Sequence, residues 1–188
     1  KAVKNGVYSD FANREKLQAL LMFPSSHSAD ELTTLDEYIA RMPESQTVIY
    51  YATGKDHSSV ERLPQMEILK EKGLEVLYLL DRVDEFAIDS LREYKEKKFQ
   101  SISRGDLKLQ ELDAPKEKKD DEAAVKENET LTAAVKEQLK GRVADVKISH
   151  RLKTSPVCLV SGDEGISPSM EQILSEMDNP MYKASRIL

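Results

Sequence analysis

Two apolar segments separated by a helical one constrain the fold of this chain more than any other feature. Residues 47–53 (TVIYYAT) are β-branched, aromatic and almost wholly apolar, and residues 74–80 (LEVLYLL) repeat that character. Such segments are typical of strands that are covered on both faces. The segment between them has helical spacing, is interrupted near Pro64 and ends at Gly73, a residue favoured just past a helix C-terminus. We therefore expect two parallel strands joined by a right-handed crossover.

The same alternation continues along the chain. Residues 83–94 have amphipathic helical spacing, and the helix is either N-capped by Asp81 or starts near Asp84. Residues 98–102 (KFQSI) fit a third strand. The order strand, helix, strand, helix, strand predicts an α/β fold, with a small three-layer α/β/α unit around a short parallel sheet.

Two helices are expected before this unit. Residues 9–23 carry apolar side chains at helical spacing, and residues 34–42 do so after a capping-box pair, Thr34 and Glu37. Pro43 stops the second helix. These helices are expected to help cover the sheet.

The later part of the chain predicts further helices and short strands, so that the fold is α+β overall. Residues 116–122 are seven consecutive charged residues, which indicates a linker or the solvated half of a connecting helix. The expected elements that follow are a helix over 128–141, a strand with a bulge over 143–148, a strand over 156–160, and a helix over 167–177 capped by Ser167.

Composition excludes several classes of protein. The net charge is −6, which argues against a broad nucleic-acid-binding face. No apolar run approaches membrane-spanning length, and no signal-peptide pattern opens the chain. Cys158 is the single cysteine, so a reducing, cytoplasmic setting is expected. The chain lacks an initial methionine and ends on an apolar run, and we expect it to be part of a longer protein.

Few residues suggest catalysis. Gly54 and Lys55 follow a strand as a phosphate-binding loop would, but the other P-loop residues are missing. The three histidines are far apart in sequence, and one cysteine permits no zinc-type spacing. A pairing of Cys158 with His150 is conceivable, but a cysteine within an apolar strand is more often buried and inert. No enzyme site is predicted.

Four segments together resemble the heat shock protein 90 family of ATP-dependent chaperones, and its bacterial members in particular. They are NREKLQALLMF, LDEYIARMPESQTVIYYATG, LEVLYLLDRVDEFAIDSL and SHRLKTSPVCLV, in the family's order. The resemblance spans nearly the whole chain, and the runs at 38–54 and 81–86 are its most specific parts. Residues 112–127 match poorly.

The resemblance implies an organisation. Residues 1–112 would be the distal part of the middle domain, and residues 113–188 a connecting helix and the start of the C-terminal dimerisation domain. The family's ATP and magnesium site and its catalytic arginine loop would lie elsewhere in the parent protein. This chain would therefore bind no cofactor and catalyse no reaction, and it would be monomeric or weakly associating although the parent is a homodimer.

The resemblance also implies contacts with unfolded or partly folded client proteins, and none with nucleic acid or membrane. Phe86 corresponds to an aromatic client-contact position, which in the bacterial counterpart is a tryptophan. The other implied contacts form the apolar stripe of the helix over 167–177 and the residue before it: Ile166, Met170, Ile173, Leu174 and Met177. Methionine adapts to many partner shapes.

Other interpretations remain open at this point. An apolar stripe at helical spacing is more often core than binding surface. Phe86 could be a core aromatic that packs with Val83 and Leu91. The chain could be a structural connector that dimerises without client contact, or a small α/β nucleotide-binding domain that uses the strand ends near Thr53, Gly54 and Asp81.

Overall fold

The computed structural model describes residues 2–105, 107, 131–149, 152–162 and 186–187. Contacts between Cα atoms divide the chain into two units, Lys1–Ile102 and Ser103–Leu188. Among the residues described, no helix has the length and apolar character needed to cross a membrane.

The first unit is built on a six-stranded mixed sheet. Its elements are α1 (Ala2–Ser9), α2 (Arg14–Gln18, after a 3₁₀ turn at Phe11–Asn13), β1 (Met22–Ser25), β2 (Ser28–Thr34), α3 (Leu35–Arg41), β3 (Val48–Thr53), α4 (His57–Glu61), α5 (Met66–Glu71), β4 (Leu77–Leu79), α6 (Arg82–Leu91), β5 (Glu93–Tyr94) and β6 (Lys97–Ser101). The strand order is β2-β1-β4-β3-β6-β5. Strands β4, β3 and β6 are parallel, and antiparallel neighbours extend both edges. The predicted α/β core within an α+β fold is confirmed.

Helices cover both faces of this sheet and so make three layers. One face carries an apolar cluster that joins α1, α3 and α6 to the strands; its members include Val7, Leu21, Phe23, Leu35, Tyr38, Ile49, Leu77, Leu79, Ile88 and Leu91. Tyr78 lies between Leu77 and Leu79 in β4, so its side chain points to the opposite face. There its ring meets the edge of His57 in α4, with 4.8 Å between ring centroids. Helices α4 and α5 therefore form the third layer.

Several local predictions are confirmed. Thr34 Oγ1 accepts a hydrogen bond from the Glu37 N–H at 3.2 Å, and the Glu37 carboxylate accepts one from the Thr34 N–H at 2.8 Å. This capping box starts α3. Asp81 occupies the N-cap position of α6. Gly73, just past α5, has φ +64°, a conformation that glycine adopts without steric cost.

The predicted helix over 9–23 is wrong in its second half. Helix α2 ends at Gln18, and the chain enters a hairpin of β1 and β2 that the sequence pattern did not predict. Hydrogen bonds to a residue far away in the sequence hold the hairpin turn. The Ser26 N–H donates to the Val76 carbonyl oxygen, and the Val76 N–H donates to Ser26 Oγ, both at 2.9 Å. A tertiary contact therefore overrides the local helical spacing.

The second unit has one helix and one strand pair among its described residues. Helix α7 covers residues 131–138, within the predicted range. Strands β7 (Val160–Ser161) and β8 (Arg186–Ile187) pair antiparallel. Gly141 has φ +81°, as expected for a residue past a helix end.

The two strands predicted in this unit are largely wrong. In the first, Val143 and Asp145 make single bridges instead of a ladder. Asp145 Oδ1 accepts the Val146 N–H at 3.0 Å and pairs with the Lys136 ammonium at 2.7 Å, so a local contact uses a backbone group that a ladder needs. Of residues 156–160, only Val160 lies in a strand. The charged run at 116–122, the boundary near 112 and the predicted helix over 167–177 lie outside the described residues.

Candidate functional site

Phe86 lies on the outer side of α6. The buried positions of this helix that are spaced i, i+3, i+4 and i+7 are Asp84, Ala87, Ile88 and Leu91. The exposed residues Arg82 and Asp89 mark the opposite side. At 3.6 residues per turn, Phe86 is about 40° from Arg82 and about 140° from Leu91 around the helix axis. Its side chain is half-buried, so it lies on the solvent flank and outside the buried stripe.

An ion pair anchors the inner side of α6. The Lys4 ammonium of α1 lies 2.6 Å from Asp84 Oδ1, and the Asp84 side chain is only 1% exposed. Asp84 Oδ2 accepts the Asp81 N–H at 3.1 Å. The same ammonium lies 4.5 Å from the centre of the Phe23 ring in β1, within cation–π range. One lysine, whose side chain is 13% exposed, thus joins α1, β1 and the start of α6.

A second contact fixes the C-terminal part of α6. The Arg14 guanidinium of α2 donates to Ser90 Oγ at 2.8 Å and to the Ser90 carbonyl oxygen at 3.3 Å. Arg92 then ends the helix with φ +62°. Because both ends are held, the helix presents Phe86 from a fixed support.

The other predicted contact residues belong to the later part of the chain. Ile166, Met170, Ile173, Leu174 and Met177 lie outside the described residues. Their role in client contact therefore stays a prediction.

The turn after β3, the alternative phosphate site, is filled by the protein itself. A Cβ at Gly54 would lie 2.5 Å from Val60 Cγ2 and 3.0 Å from Ser59 Oγ. Asp56 Oδ1 accepts the Ser59 N–H at 2.7 Å, so a carboxylate already occupies the N-terminus of α4. A phosphate there would lack space and meet a negative charge. This geometry argues against the nucleotide-binding alternative.

A polar cluster ties α4 and α5 to β4 beside this turn. Glu61 accepts hydrogen bonds from the Lys70 ammonium and the Tyr78 hydroxyl. Partial burial raises the pKa of Glu61, but these two donors outweigh it and hold the pKa below its ordinary value. Burial, and then the Glu61 carboxylate, raises the pKa of Tyr78. The hydroxyl therefore stays protonated as the donor, and the cluster has a structural explanation.

The described residues give little support for a metal site or for a reactive cysteine. Among the described residues, no group of three histidine, cysteine or acidic side chains could hold a metal ion. Cys158 is half-buried and lies outside regular strands, which differs from the buried strand position expected from the sequence.

Comparisons with known proteins decide the family. The model of the family described as Hsp90 protein matches residues 1–185. The chain belongs to the Hsp90 family. Over the full length of this chain, it is 50% identical to the chaperone protein HtpG of Clostridium acetobutylicum and 47% identical to that of Halalkalibacterium halodurans. It is 42% identical to HtpG of Shewanella baltica over 96% of its length. The chain spans 29% of the length of each of these relatives.

A solved structure supports the fold assignment. The middle domain of a Plasmodium falciparum protein described as a heat shock protein aligns with a TM-score of 0.53 at 35% identity. The alignment covers 55% of this chain and 43% of that one. The Hsp90 resemblance inferred from the sequence is thereby confirmed.

Proposed function

We propose that this chain forms a protein-binding part of a molecular chaperone, which holds unfolded or partly folded client proteins through apolar side chains. Membership of the Hsp90 family and the chaperone names of the HtpG relatives support the proposal. In the longer protein, ATP and magnesium bind outside these residues, and two copies form a dimer in the cytoplasm. The chain itself would bind no cofactor and would move with the nucleotide-driven cycle.

One observation carries the proposal, which is the position of Phe86. A half-buried aromatic on the solvent flank of a helix contributes little to the core beneath it and offers apolar area to a partner. The buried Lys4–Asp84 pair and the Arg14–Ser90 hydrogen bonds hold the helix that carries it. A preformed support lowers the entropy lost on binding.

The proposed surface extends to the apolar stripe at the other sequence-predicted positions. These are Ile166, Met170, Ile173, Leu174 and Met177. Isoleucine and leucine supply apolar area, and the two flexible methionines allow the surface to adapt to different clients.

Methionine methyl signals test this surface. The chain has six methionines, and Met66 is a buried reference at 1% exposure. We would titrate the chain with reduced, carboxymethylated α-lactalbumin, a permanently unfolded protein. We expect the Met170 and Met177 signals to shift and the Met66 signal to stay in place.

Matched variants separate binding from stability. Phe86→Ser is expected to weaken binding about fivefold while the chain stays folded. Leu131→Ser, which changes another exposed apolar residue on a helix, is the control and should leave binding unchanged. If Phe86→Ser and Met170→Ser/Leu174→Ser stay folded with wild-type affinity, the proposal is wrong. If the double variant unfolds and no methyl signal shifts, the stripe is core and the chain is a structural connector.

A further inference from the structure

Three large apolar side chains on the β1–β2 hairpin and just before it remain exposed. Leu20 is 61% exposed, Met22 44% and Leu32 52%. From Leu20 onward, exposed or half-buried residues alternate with buried ones up to Ser25. Within β1, this alternation puts Met22 on the side opposite Phe23. Leu20 lies two residues before the strand.

Leu32 belongs to the same side of the hairpin. The register pairs Met22 with Thr34 and Phe23 with Thr33. Leu32 is two residues from Thr34, so it points to the same face as Met22 and is its diagonal neighbour across the strands. We call Leu20, Met22 and Leu32 the hairpin face. It lies opposite Phe23, on the face that α4 and α5 cover farther along the sheet.

Residues 22–34 of the hairpin carry acidic side chains and no lysine or arginine. The Arg41 guanidinium contacts Thr33 on the opposite face and is paired there with Glu75. Residues 17–40 contain no lysine or arginine but four acidic residues. Two of these are already engaged, since Glu37 caps α3 and Asp36 pairs with Lys95 at 2.7 Å. Asp30 and Glu31 are exposed and directly precede Leu32. A partner that covers the hairpin face would therefore be favoured by positive charge.

The backbone of β2 indicates how such a partner would bind. Strand β2 is the edge of the sheet, where an extended segment could add as a further strand. However, Ser28 Oγ accepts the N–H groups of Asp30 at 3.3 Å and of Glu31 at 3.2 Å. These donors are occupied within the hairpin, which disfavours strand addition there. A partner that binds through its side chains fits better.

We propose that the hairpin face is a second protein-binding surface, and that its partner is a basic amphipathic helix of another protein. Apolar side chains of that helix cover Leu20, Met22 and Leu32. Its lysine or arginine side chains, spaced along one flank, pair with Asp30 and Glu31. This surface is separate from Phe86 and does not depend on the client-binding role of that residue.

Two designed helical peptides test the proposal on the intact 188-residue chain. Both carry the same leucine pattern, and their polar positions are lysine in one and glutamate in the other. Fluorescence anisotropy gives the Kd of each. We expect the lysine peptide to bind and the glutamate peptide to bind at least about tenfold more weakly. In wild-type chain, the Met22 methyl signal should shift with the lysine peptide while that of Met66 stays in place.

Variants locate the binding. Met22→Ser/Leu32→Ser should weaken the lysine peptide about tenfold, and Glu31→Lys about fivefold. Leu131→Ser and Glu44→Lys, which change exposed residues elsewhere, are the matched controls and should have no effect.

Three outcomes would overturn the proposal. The first is equal affinity for both peptides. The second is a wild-type Met22 signal that does not move at saturation. The third is concentration-dependent self-association that Met22→Ser/Leu32→Ser abolishes, because the hairpin face would then be covered by a second copy. The Met22 signal is read in wild-type chain, so the test holds even if the double variant fails to fold.

Discussion

The turns after β3 and β4 lie at the same edge of the sheet but are used in opposite ways. After β3, the chain closes on itself, because Val60 and Ser59 fill the space above Gly54 and Asp56 caps the next helix. After β4, the chain enters α6, which is held from within and presents Phe86 outward. Carboxyl ends of parallel strands usually form ligand crevices. Here one turn is closed and the other leads to a surface, which favours a protein partner over a small ligand.

The difference follows from where each helix places its charge. In α4, the carboxylate of Asp56 satisfies the helix N-terminus from outside the core. In α6, the carboxylate of Asp84 is buried and satisfied by Lys4 and the Asp81 N–H. A buried ion pair fixes the rotation of a helix about its axis, because rotating the helix would leave a buried charge without its partner. The rotation of α6 therefore decides that Phe86 faces outward.

The largest expected effect comes from removing the anchor of α6. Lys4→Met leaves Asp84 buried without its cation, and we expect the free energy of unfolding to fall by about 3 kcal/mol. Urea denaturation at neutral pH measures it. Adding Asp84→Asn to Lys4→Met should recover part of the loss, because the uncompensated charge is then gone.

The control is an exposed ion pair in the same unit. Lys95 and Asp36 are 59% and 52% exposed, and hydrogen bonds from Lys95 and Tyr94 lower the pKa of Asp36. Lys95→Met should cost less than about 1 kcal/mol. If Lys4→Met costs no more than Lys95→Met, the buried pair does not fix α6, and the contrast between the two turns loses its physical basis.

A smaller effect is expected from adding a methyl group to the closed turn after β3. Gly54→Ala introduces a methyl group 2.5 Å from Val60 Cγ2, and we expect it to lower the free energy of unfolding by about 2 kcal/mol. The double variant Gly54→Ala/Val60→Ala should lose less stability than the sum of the losses in Gly54→Ala and Val60→Ala, because removing the Val60 side chain relieves the clash. Thermal unfolding of the three variants gives the comparison.

Gly73→Ala serves as the reference for this change. Gly73 also needs its conformation, with φ +64°, but an added Cβ there meets no atom within 4 Å. Its cost should be about 1 kcal/mol, from backbone strain alone. A Gly54→Ala chain as stable as wild type would show that the turn has spare room, and the phosphate-site interpretation would regain support.

The strands and helices that local pattern determines were predictable, and those held by distant contacts were not. The apolar run of β3 and the Thr34–Glu37 capping box need no tertiary information. The β1–β2 turn depends on Val76, which is 50 residues away from its partner Ser26. The β5–β6 turn has positive φ at Lys95 and Glu96, but it lacks the glycine or asparagine that normally marks such a turn.

The candidate site was predictable in part. The resemblance selected Phe86, but periodicity alone left it as either core or surface. Its outward rotation depends on Lys4, which lies far away in the sequence and carries no local signal of burial. Sequence periodicity does not reveal the hairpin face, because it places Leu20 and Met22 in the predicted helix over 9–23.

The smallest effect tests the cluster that holds α4 and α5 over β4. Hydrogen bonds from Lys70 and Tyr78 hold the pKa of Glu61 below 4.5 in the folded chain. A lowered folded-state pKa contributes stability that is present above the unfolded value of 4.5 and lost as the pH falls through the folded value. Wild type should therefore exceed Glu61→Gln in free energy of unfolding at pH 7, and the gap should narrow as the pH falls below 4.5. Tyr78→Phe removes one donor, so the same gap measured in that background should be narrower. A gap that stays constant with pH would show that the Glu61 charge does not secure these helices, and the closed turn beside them would need another support.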